Sequence, residues 1–283
     1  MTETPRFPVD TVRVRKHYDR LSFLYRMFWG EHLHHGYWQG CENRDETPAQ
    51  AQIQLMEQLA QRAAIPRRAS VLDIGCGVGG SALWLADRFG CKVTGMTISP
   101  VQAGMATRQA KARGLAGRVV FEVKDANRWQ PEPASFDVVW IMESSEHFPD
   151  KKHFFERCAI ALKPGGTLAV CAWLRRDGPM PPDEQQLVAA IAEAMMSASL
   201  DSLGSYSQWM RDAGLSVITA DDMTRHVEPT WAHCARIGNN PAVKFFVRFT
   251  DGPTRRFVRA FPLMQEAYAS GAMAFGLFVA KKL

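Results

Sequence analysis

The decapeptide Val71-Leu72-Asp73-Ile74-Gly75-Cys76-Gly77-Val78-Gly79-Gly80 constrains this chain more than any other stretch. An apolar run of strand character carries an acid near its end, and four glycines interrupted by Cys76 and Val78 follow at once. Ser81-Ala82-Leu83-Trp84-Leu85-Ala86 then opens a helix. Glycines at such a point let the backbone turn sharply and let a ligand lie against bare main chain at a helix N-terminus. The Asp-x-Gly-x-Gly-x-Gly phasing differs from the dinucleotide fingerprint, and no Gly-Lys-Ser/Thr follows to cradle a triphosphate. A tight strand-to-helix turn with no ligand is the plainer alternative, and the residues downstream weigh against it.

From residue 68 onward, β-rich runs alternate with helical ones. Strands are expected at 70–74, 92–98, 118–123, 136–142 and 167–173, with helices at 81–89, 100–113 and 151–162 between them. Pro100 suits a first helical turn, and Lys163-Pro164-Gly165-Gly166 reads as a stop and turn. This order implies parallel strands joined by right-handed crossovers. Beyond 174 a loop containing Arg175 to Pro182 leads into a mostly helical stretch, with a helix at 206–213 and one more strand at 215–220. A long apolar strand at 272–280 is placed to insert beside the sixth.

The expected fold is therefore α/β, a Rossmann-like doubly wound and mostly parallel sheet of seven strands with the last antiparallel. It is divided into an N-terminal helical cap (1–64), a core (65–173), a lid (174–270) and a final core strand (271–283). Residues 12–29 carry aromatics at helical spacing and are expected to pack over the carboxyl ends of the strands, where ligands of open sheets bind.

Composition narrows the classes. A chain of 283 residues with 46% hydrophobic and 22% charged residues can bury a full core. The formal charge of +5 is mild and not gathered into a long basic run, so nucleic acid is not indicated. The start, Met-Thr-Glu-Thr-Pro, has no signal-peptide apolar region, and no run is long enough to span a bilayer. Six scattered cysteines without Cys-x-x-Cys spacing suit reduced thiols and a cytoplasmic setting. His32, His34 and His35 look like a metal cluster, but only Glu31 stands near them at ligand spacing, and no metal is expected.

A nucleoside cofactor beside the first strand needs bare backbone for its charged tail, a polar partner for its ribose and an edge contact for its base. Asp73 and 75–77 supply the first. Thr97-Ile98-Ser99-Pro100-Val101-Gln102 ends the second strand, and Asp125-Ala126-Asn127 follows the third. Asp125 can accept from an exocyclic amine, with Trp129 near enough to stack, or it can simply cap its loop.

Together with 136–150 and Leu162-Lys163-Pro164-Gly165-Gly166, these motifs resemble the class I S-adenosylmethionine-dependent methyltransferases over about residues 17–173. Phe28-Trp29-Gly30-Glu31-His32-Leu33-His34-His35-Gly36-Tyr37-Trp38 and Met142-Glu143-Ser144-Ser145-Glu146-His147-Phe148-Pro149-Asp150 are similar to the gamma-tocopherol methyltransferase branch. The resemblance implies S-adenosylmethionine as methyl donor and a small acceptor. It implies that Asp73, Gly75, Cys76 and Gly77 hold the methionine part and that Asp125, Ala126 and Asn127 meet the adenine. His35 and Gly36 would lie near the methionine tail with Tyr18 closing over it, and Ser99, Met142 and Glu143 complete the cofactor set. Many class I enzymes end strand two with an acid that binds the ribose. This chain has Thr97, so the ribose is assigned to Thr97 and Gln102.

Methyl transfer from a sulfonium mainly requires alignment and exclusion of water. A base is needed where the acceptor must lose a proton, and Glu146 and His147 after strand four are the candidates. A cap on the next helix is the alternative role for His147. Glu146-His147-Phe148 also resembles cyclopropane fatty acid synthases, where an acid lies beside a cation. The lid is rich in Met and aromatic residues, which suits an apolar acceptor. Trp209, Phe246, Arg255 and Arg256 are its expected contacts. C-methylation of a prenylated or aromatic compound is the favoured reaction, with O- or N-methylation open. Basic residues from Lys244 to Arg259 keep an isoprenoid diphosphate as the alternative, and a cofactor-binding regulatory protein is the non-enzyme reading.

Overall fold

The computed structural model describes residues 10–39, 46–250 and 252–283. Helix α1 (Thr11–Trp29) starts at Asp10, whose side chain accepts from the Val12 amide. Helix α2 (Pro48–Ala63) opens with a reciprocal box in which Thr47 and Gln50 satisfy each other's backbone donors. The alternating core then runs β1 (Ser70–Ile74), α3 (Gly80–Phe89), β2 (Lys92–Thr97), α4 (Pro100–Ala112), β3 (Val119–Val123), β4 (Phe136–Met142), α5 (Lys151–Ala161) and β5 (Leu162–Arg175). There follow α6 (Pro182–Ala194), α7 (Leu203–Asp212), β6 (Leu215–Asp222), α8 (Thr224–Val227), α9 (Pro229–Asn239), α10 (Pro241–Val247), α11 (Gly252–Ala269) and β7 (Met273–Lys282).

The seven strands order as β3-β2-β1-β4-β5-β7-β6. Strands β1 to β5 are parallel, and β7 runs antiparallel between β5 and β6, next to the sixth strand as its apolar run implied. Strand order reverses between β1 and β4, which opens a crevice at their carboxyl ends. One boundary differs from expectation. Lys163-Pro164-Gly165-Gly166 is not a turn between helix and strand: Leu162 already pairs with Phe136, and the register slips before Thr167 meets Val138. Gly165 absorbs the extra length at φ +74°, and Lys163 Nζ anchors the bulge on Asp137 Oδ1 at 2.8 Å.

Each face of the sheet is sealed by helices. Leu55 and Leu59 of α2, Leu83 of α3, Ile191 of α6 and Met264 of α11 form one core with Val71, Trp140 and Phe275. Phe154 and Phe155 of α5 and Tyr206 and Met210 of α7 form the other with Leu72, Ile141 and Phe278. A fully buried Leu or Phe stabilises by about 1.5–3 kcal/mol, so these layers hold the strand ends rigid and leave the loops above them to do chemistry. Among the described residues no helix is long and apolar enough to cross a membrane.

Candidate active site

The carboxyl end of β1 places Asp73 where it is 1% exposed, and its Oδ2 has no protein partner. Burial lifts its carboxyl to about 7 against a bond from the Ala82 amide that lowers it. The glycines after it divide their tasks. A Cβ at Gly75 would collide with Ser144, whose Oγ donates to the Ile74 carbonyl at 2.7 Å, so its missing side chain makes room for Ser144 while the residue still lines the groove. Gly77, at φ +53°, faces open space with only Leu33 at 4.0 Å, and is the bare point of the turn. The Cys76 thiol is buried and held far above its ordinary value by burial and by Asp73, so Cys76 offers backbone, not sulfur, to the recess it shares with Asp73 and Gly77.

A groove with both polar and apolar walls continues from this turn along the ends of β2, β3 and β4. Thr97 Oγ1 donates to Gln102 Oε1 at 2.9 Å, and both line the groove. Asp125, Ala126, Asn127 and Met142 line it too. Asp125 Oδ1 accepts from the Asn127 amide at 2.9 Å, while Arg157 holds the carbonyls of Ala126 and Asn127 from behind at 3.0 and 2.8 Å. Asp125 thus caps its loop and faces the groove at once. Ser99 does not line it. Its hydroxyl caps α4 on the Gln102 amide and donates to Asp19 of α1 at 2.5 Å, a brace rather than a contact. Trp129 also turns away and packs beneath, with Leu72 and Phe148.

Behind a shared wall lies a second, mostly apolar cavity. Tyr18, Leu33, Glu143 and His147 line both spaces. His147 Nδ1 meets the Met196 carbonyl at 2.9 Å, which can only accept, so Nδ1 carries the proton and Nε2 presents a lone pair. The Tyr18 hydroxyl donates to that Nε2 at 3.2 Å. Burial lowers the His147 pKa, with Lys151 adding to it, and burial raises that of Tyr18. Lys151 also anchors Ser199 and Asp201, at 2.7 and 2.9 Å, and so fixes the 196–201 segment over His147. The helix that follows is capped by Asp150, not by His147.

Glu143 sits in the left-handed region at φ +53° and is held there by three donors. These are the His35 amide and Nδ1, each at 2.8 Å, and the Trp173 indole at 2.6 Å. Burial pushes its carboxyl up, but His35 and the other donors outweigh that and leave it below its usual value. Glu146 takes the opposite course. Its Oε1 accepts from the Trp173 amide at 2.5 Å, its Oε2 is buried without a partner, and burial lifts it to about 8. Trp173, at the end of β5, therefore organises both carboxyls. Its place at a strand's carboxyl end was the signal that sequence reasoning passed over.

Five expected positions need correction. His35 lies on the cavity side, its ring packed among Trp173, Trp231, Tyr268 and Phe275, not along the groove. Gly36 is buried because Ala51 would stand 2.5 Å from its Cβ; it donates to Thr230 and touches neither space. Trp209 packs on Tyr206, on the opposite face of the sheet from the cavity. Helix α11 presents Thr254, Phe257, Val258 and Phe261 to the cavity, which turns Arg255 and the exposed Arg256 away from it. The side chain of Phe246 lies outside the described residues. His32 and His34 lie with ring centroids 5.5 Å apart, His34 Nδ1 donates to the His35 carbonyl at 2.7 Å, His35 pairs with Glu143, and burial, with His34 adding to it, lowers His32 to about 3.

Residues 71–166 match the family described as Methyltransferase domain. A probable chloroplastic tocopherol O-methyltransferase of Oryza sativa subsp. japonica is 33% identical over 277 residues, covering 94% of this chain and 76% of the relative. The 27-O-demethylrifamycin SV methyltransferase of Amycolatopsis mediterranei is 36% identical over 225 residues, covering 78% and 80%. This chain belongs to the class I S-adenosylmethionine-dependent methyltransferases. The fold agrees with the cyclopropane synthase MmaA2 of Mycobacterium tuberculosis, with a TM-score of 0.84 at 17% identity over all of both chains.

As a methyltransferase it uses S-adenosylmethionine as its methyl donor. The groove fits that cofactor on its own chemistry. Its ammonium group would find the unmatched Asp73 oxygen, with bare backbone at Gly77 and a neutral hydroxyl–amide pair at Thr97 and Gln102.

Proposed function

We propose that this methyltransferase acts on an acceptor with a phenolic or quinol head and an apolar, prenyl-type tail, and that His147 removes the proton from that head. The supporting observation is the shape of the cavity beyond the shared wall. Tyr18, Glu143, Glu146 and His147 gather beside the groove, while the lid side is mostly apolar, with Ile237, Val243, Val247, Phe257 and Phe261 beside the hydroxyls of Thr250 and Thr254. A head-and-tail molecule matches that division, since the tail is driven in by burial and the head needs hydrogen-bonding partners. The rice relative's name refers to tocopherol, itself a phenol with such a tail.

The groove residues hold the cofactor in this reading: Asp73 and the 75–77 backbone at its methionine end, Thr97 and Gln102 at the ribose, Asp125, Ala126 and Asn127 at the base, with Met142 beneath. When bound it supplies an electrophilic methyl group to a nucleophile in line with its sulfur. The protein's own part is to dry the site, align the acceptor against the wall and take one proton. His147 Nε2 is the acceptor for that proton because the Met196 carbonyl fixes the tautomer and Tyr18 already marks the position of a donor hydroxyl. An ionised phenol is nucleophilic both at oxygen and at the ring carbons beside it, so the same base serves O- and C-methylation.

The second reading, an alkene acceptor with Glu146 stabilising a cation, rests on the unmatched Oε2 in the cavity. Glu146 at about 8 is protonated at neutral pH until a cation forms, which makes it the weaker instrument. A diphosphate head loses its support with Arg255 and Arg256 turned outward. The test is an acceptor screen of prenylated phenols, quinols and isoprenoid diphosphates, read by release of S-adenosylhomocysteine and a mass gain of one methyl group. A polar amine turned over faster than every tailed phenol would overturn the proposal.

A further inference from the structure

Helix α10 and the turn after it present apolar residues in two directions. Val243 and Val247 face the cavity. Phe245 and Phe249, 64% and 75% exposed, stand on the outside and touch edge to face with ring centroids 5.2 Å apart. Single exposed apolar residues are ordinary, whereas a paired aromatic surface asks for an occupant. Beside it runs a groove lined by Lys244, Arg248, Arg255 and Arg259, and that groove shares Val247, Val258 and Phe261 with the cavity. Residues 241–262 hold five basic residues against one acid, Asp251, which is most of the chain's net charge of +5.

Two exposed rings among cations match an anionic lipid surface, where rings enter the boundary of headgroups and acyl chains and Lys and Arg meet phosphates. A second copy of this chain fits worse, because a two-fold contact would press two cationic faces together. We propose that this face docks on an anionic bilayer through Phe245 and Phe249, with Lys244, Arg248, Arg255 and Arg259 at the phosphates. The shared Val247, Val258 and Phe261 then stand between the lipid and the cavity. A tail-bearing molecule dissolved in the bilayer meets the cavity's outer end without crossing water. The docking goes beyond the acceptor reading and does not depend on it.

Co-sedimentation of the full chain with vesicles tests it, with neither acceptor nor cofactor present. The protein should pellet with mixed phosphatidylcholine–phosphatidylglycerol vesicles, stay in solution with phosphatidylcholine alone, and be released by high salt. Phe245→Ser with Phe249→Ser, and separately Arg248→Glu with Arg259→Glu, should each weaken binding by about tenfold or more. Both pairs should keep the melting temperature and its rise with S-adenosylmethionine, which shows that they are folded. A wild type that ignores anionic vesicles, or binding that survives both pairs, overturns the proposal. A concentration-dependent dimer lost with the Phe pair, in the absence of vesicle binding, assigns the face to a second copy instead. Methyl transfer is not read at all, so failure here is separate from failure of the acceptor reading.

Discussion

The groove at the ends of β1 to β4 and the cavity under α9 to α11 share a wall, yet they are assembled in opposite ways. Away from the shared wall and α1, the groove is built from short runs of neighbouring residues: an acid with its glycine turn, Thr97 with Gln102 five positions on, Asp125 with Asn127 two positions on. The cavity collects single residues from α1, the β4–α5 turn, β5 and three lid helices, with Tyr18 reaching His147 across 129 positions. Polar recognition of one cofactor can be built from local turns, because backbone groups and short side chains do the holding. An apolar enclosure cannot, since it needs walls on every side.

That contrast predicts where substitutions separate binding from turnover. The largest effect belongs to Asp73. Asp73→Asn should weaken S-adenosylmethionine binding by at least about 3 kcal/mol, since it removes one partner of a buried charge pair. It should also abolish the ligand-induced rise in melting temperature, read by calorimetry with and without the cofactor. Retained binding would show that the groove does not rely on this acid.

Asp73 also makes binding depend on pH. Its carboxyl is lifted to about 7 in the free protein, so a cationic ligand must displace a proton below that value. Affinity should fall by up to about tenfold per pH unit below 7 and level off above it. Stability of the free protein runs the other way. Folding raises the pKa of Asp73 and Glu146, to about 7 and about 8, so the folded state binds more protons than the unfolded one between the ordinary carboxylate range and those values. Their contribution is therefore fully present below the ordinary carboxylate range and lost progressively from there up to about 7 for Asp73 and about 8 for Glu146. Melting curves that improve over that interval would contradict the unmatched state of both acids.

On the shared wall, His147→Ala should lower kcat about 100-fold with the cofactor dissociation constant unchanged. Because burial lowers its pKa, the acid limb of the rate profile should lie below the ordinary imidazole value. If Glu146→Gln is the crippled variant and His147→Ala turns over normally, the cation reading replaces the base reading. On the cavity side, Phe257→Ala should raise KM for a tailed acceptor by about tenfold, the worth of roughly half a buried aromatic side chain, and leave cofactor affinity alone. A change in both affinities would mean that the two spaces are not independent. The smallest effect is expected at Gln102→Ala, about 1 kcal/mol in cofactor affinity, the net value of one neutral hydrogen bond. An unchanged constant from isothermal titration would move the ribose contact to Thr97 or to backbone.

The seven-strand order, the glycine turn and the groove motifs were legible in the chain because each depends on residues close in sequence. Strand periodicity, Pro100 at a helix start and the Asp73–Gly80 phasing need no distant partner to be read. The roles inside those motifs were less legible. Gly75 and Gly77 both line the groove and look alike as letters, yet Ser144, about seventy positions away, fills the space beside the first and leaves that beside the second open. Likewise His35 and Gly36 are adjacent to a real site but belong to the cavity side and to the α2 contact, because Glu143 and Ala51 claim them.

Sequence alone thus determined the sheet and the glycine turn, which follow from local backbone preferences and short-range spacing, while the cofactor class came from the family resemblance that those motifs carry. Only the tertiary structure decided which lid residues face the acceptor. Helix α11 carries Thr254, Phe257, Val258 and Phe261 on one side and Arg255, Arg256 and Arg259 on the other; its periodicity marks the apolar side as the inward one but does not say which space that side faces. Burial sets that side, because apolar side chains gain by leaving water and unpaired guanidinium groups lose by it. The same physics matches both Glu143 oxygens with donors and leaves one Glu146 oxygen, Oε2, without any. Two acids three residues apart thereby acquire opposite protonation behaviour, which no property of the sequence distinguishes.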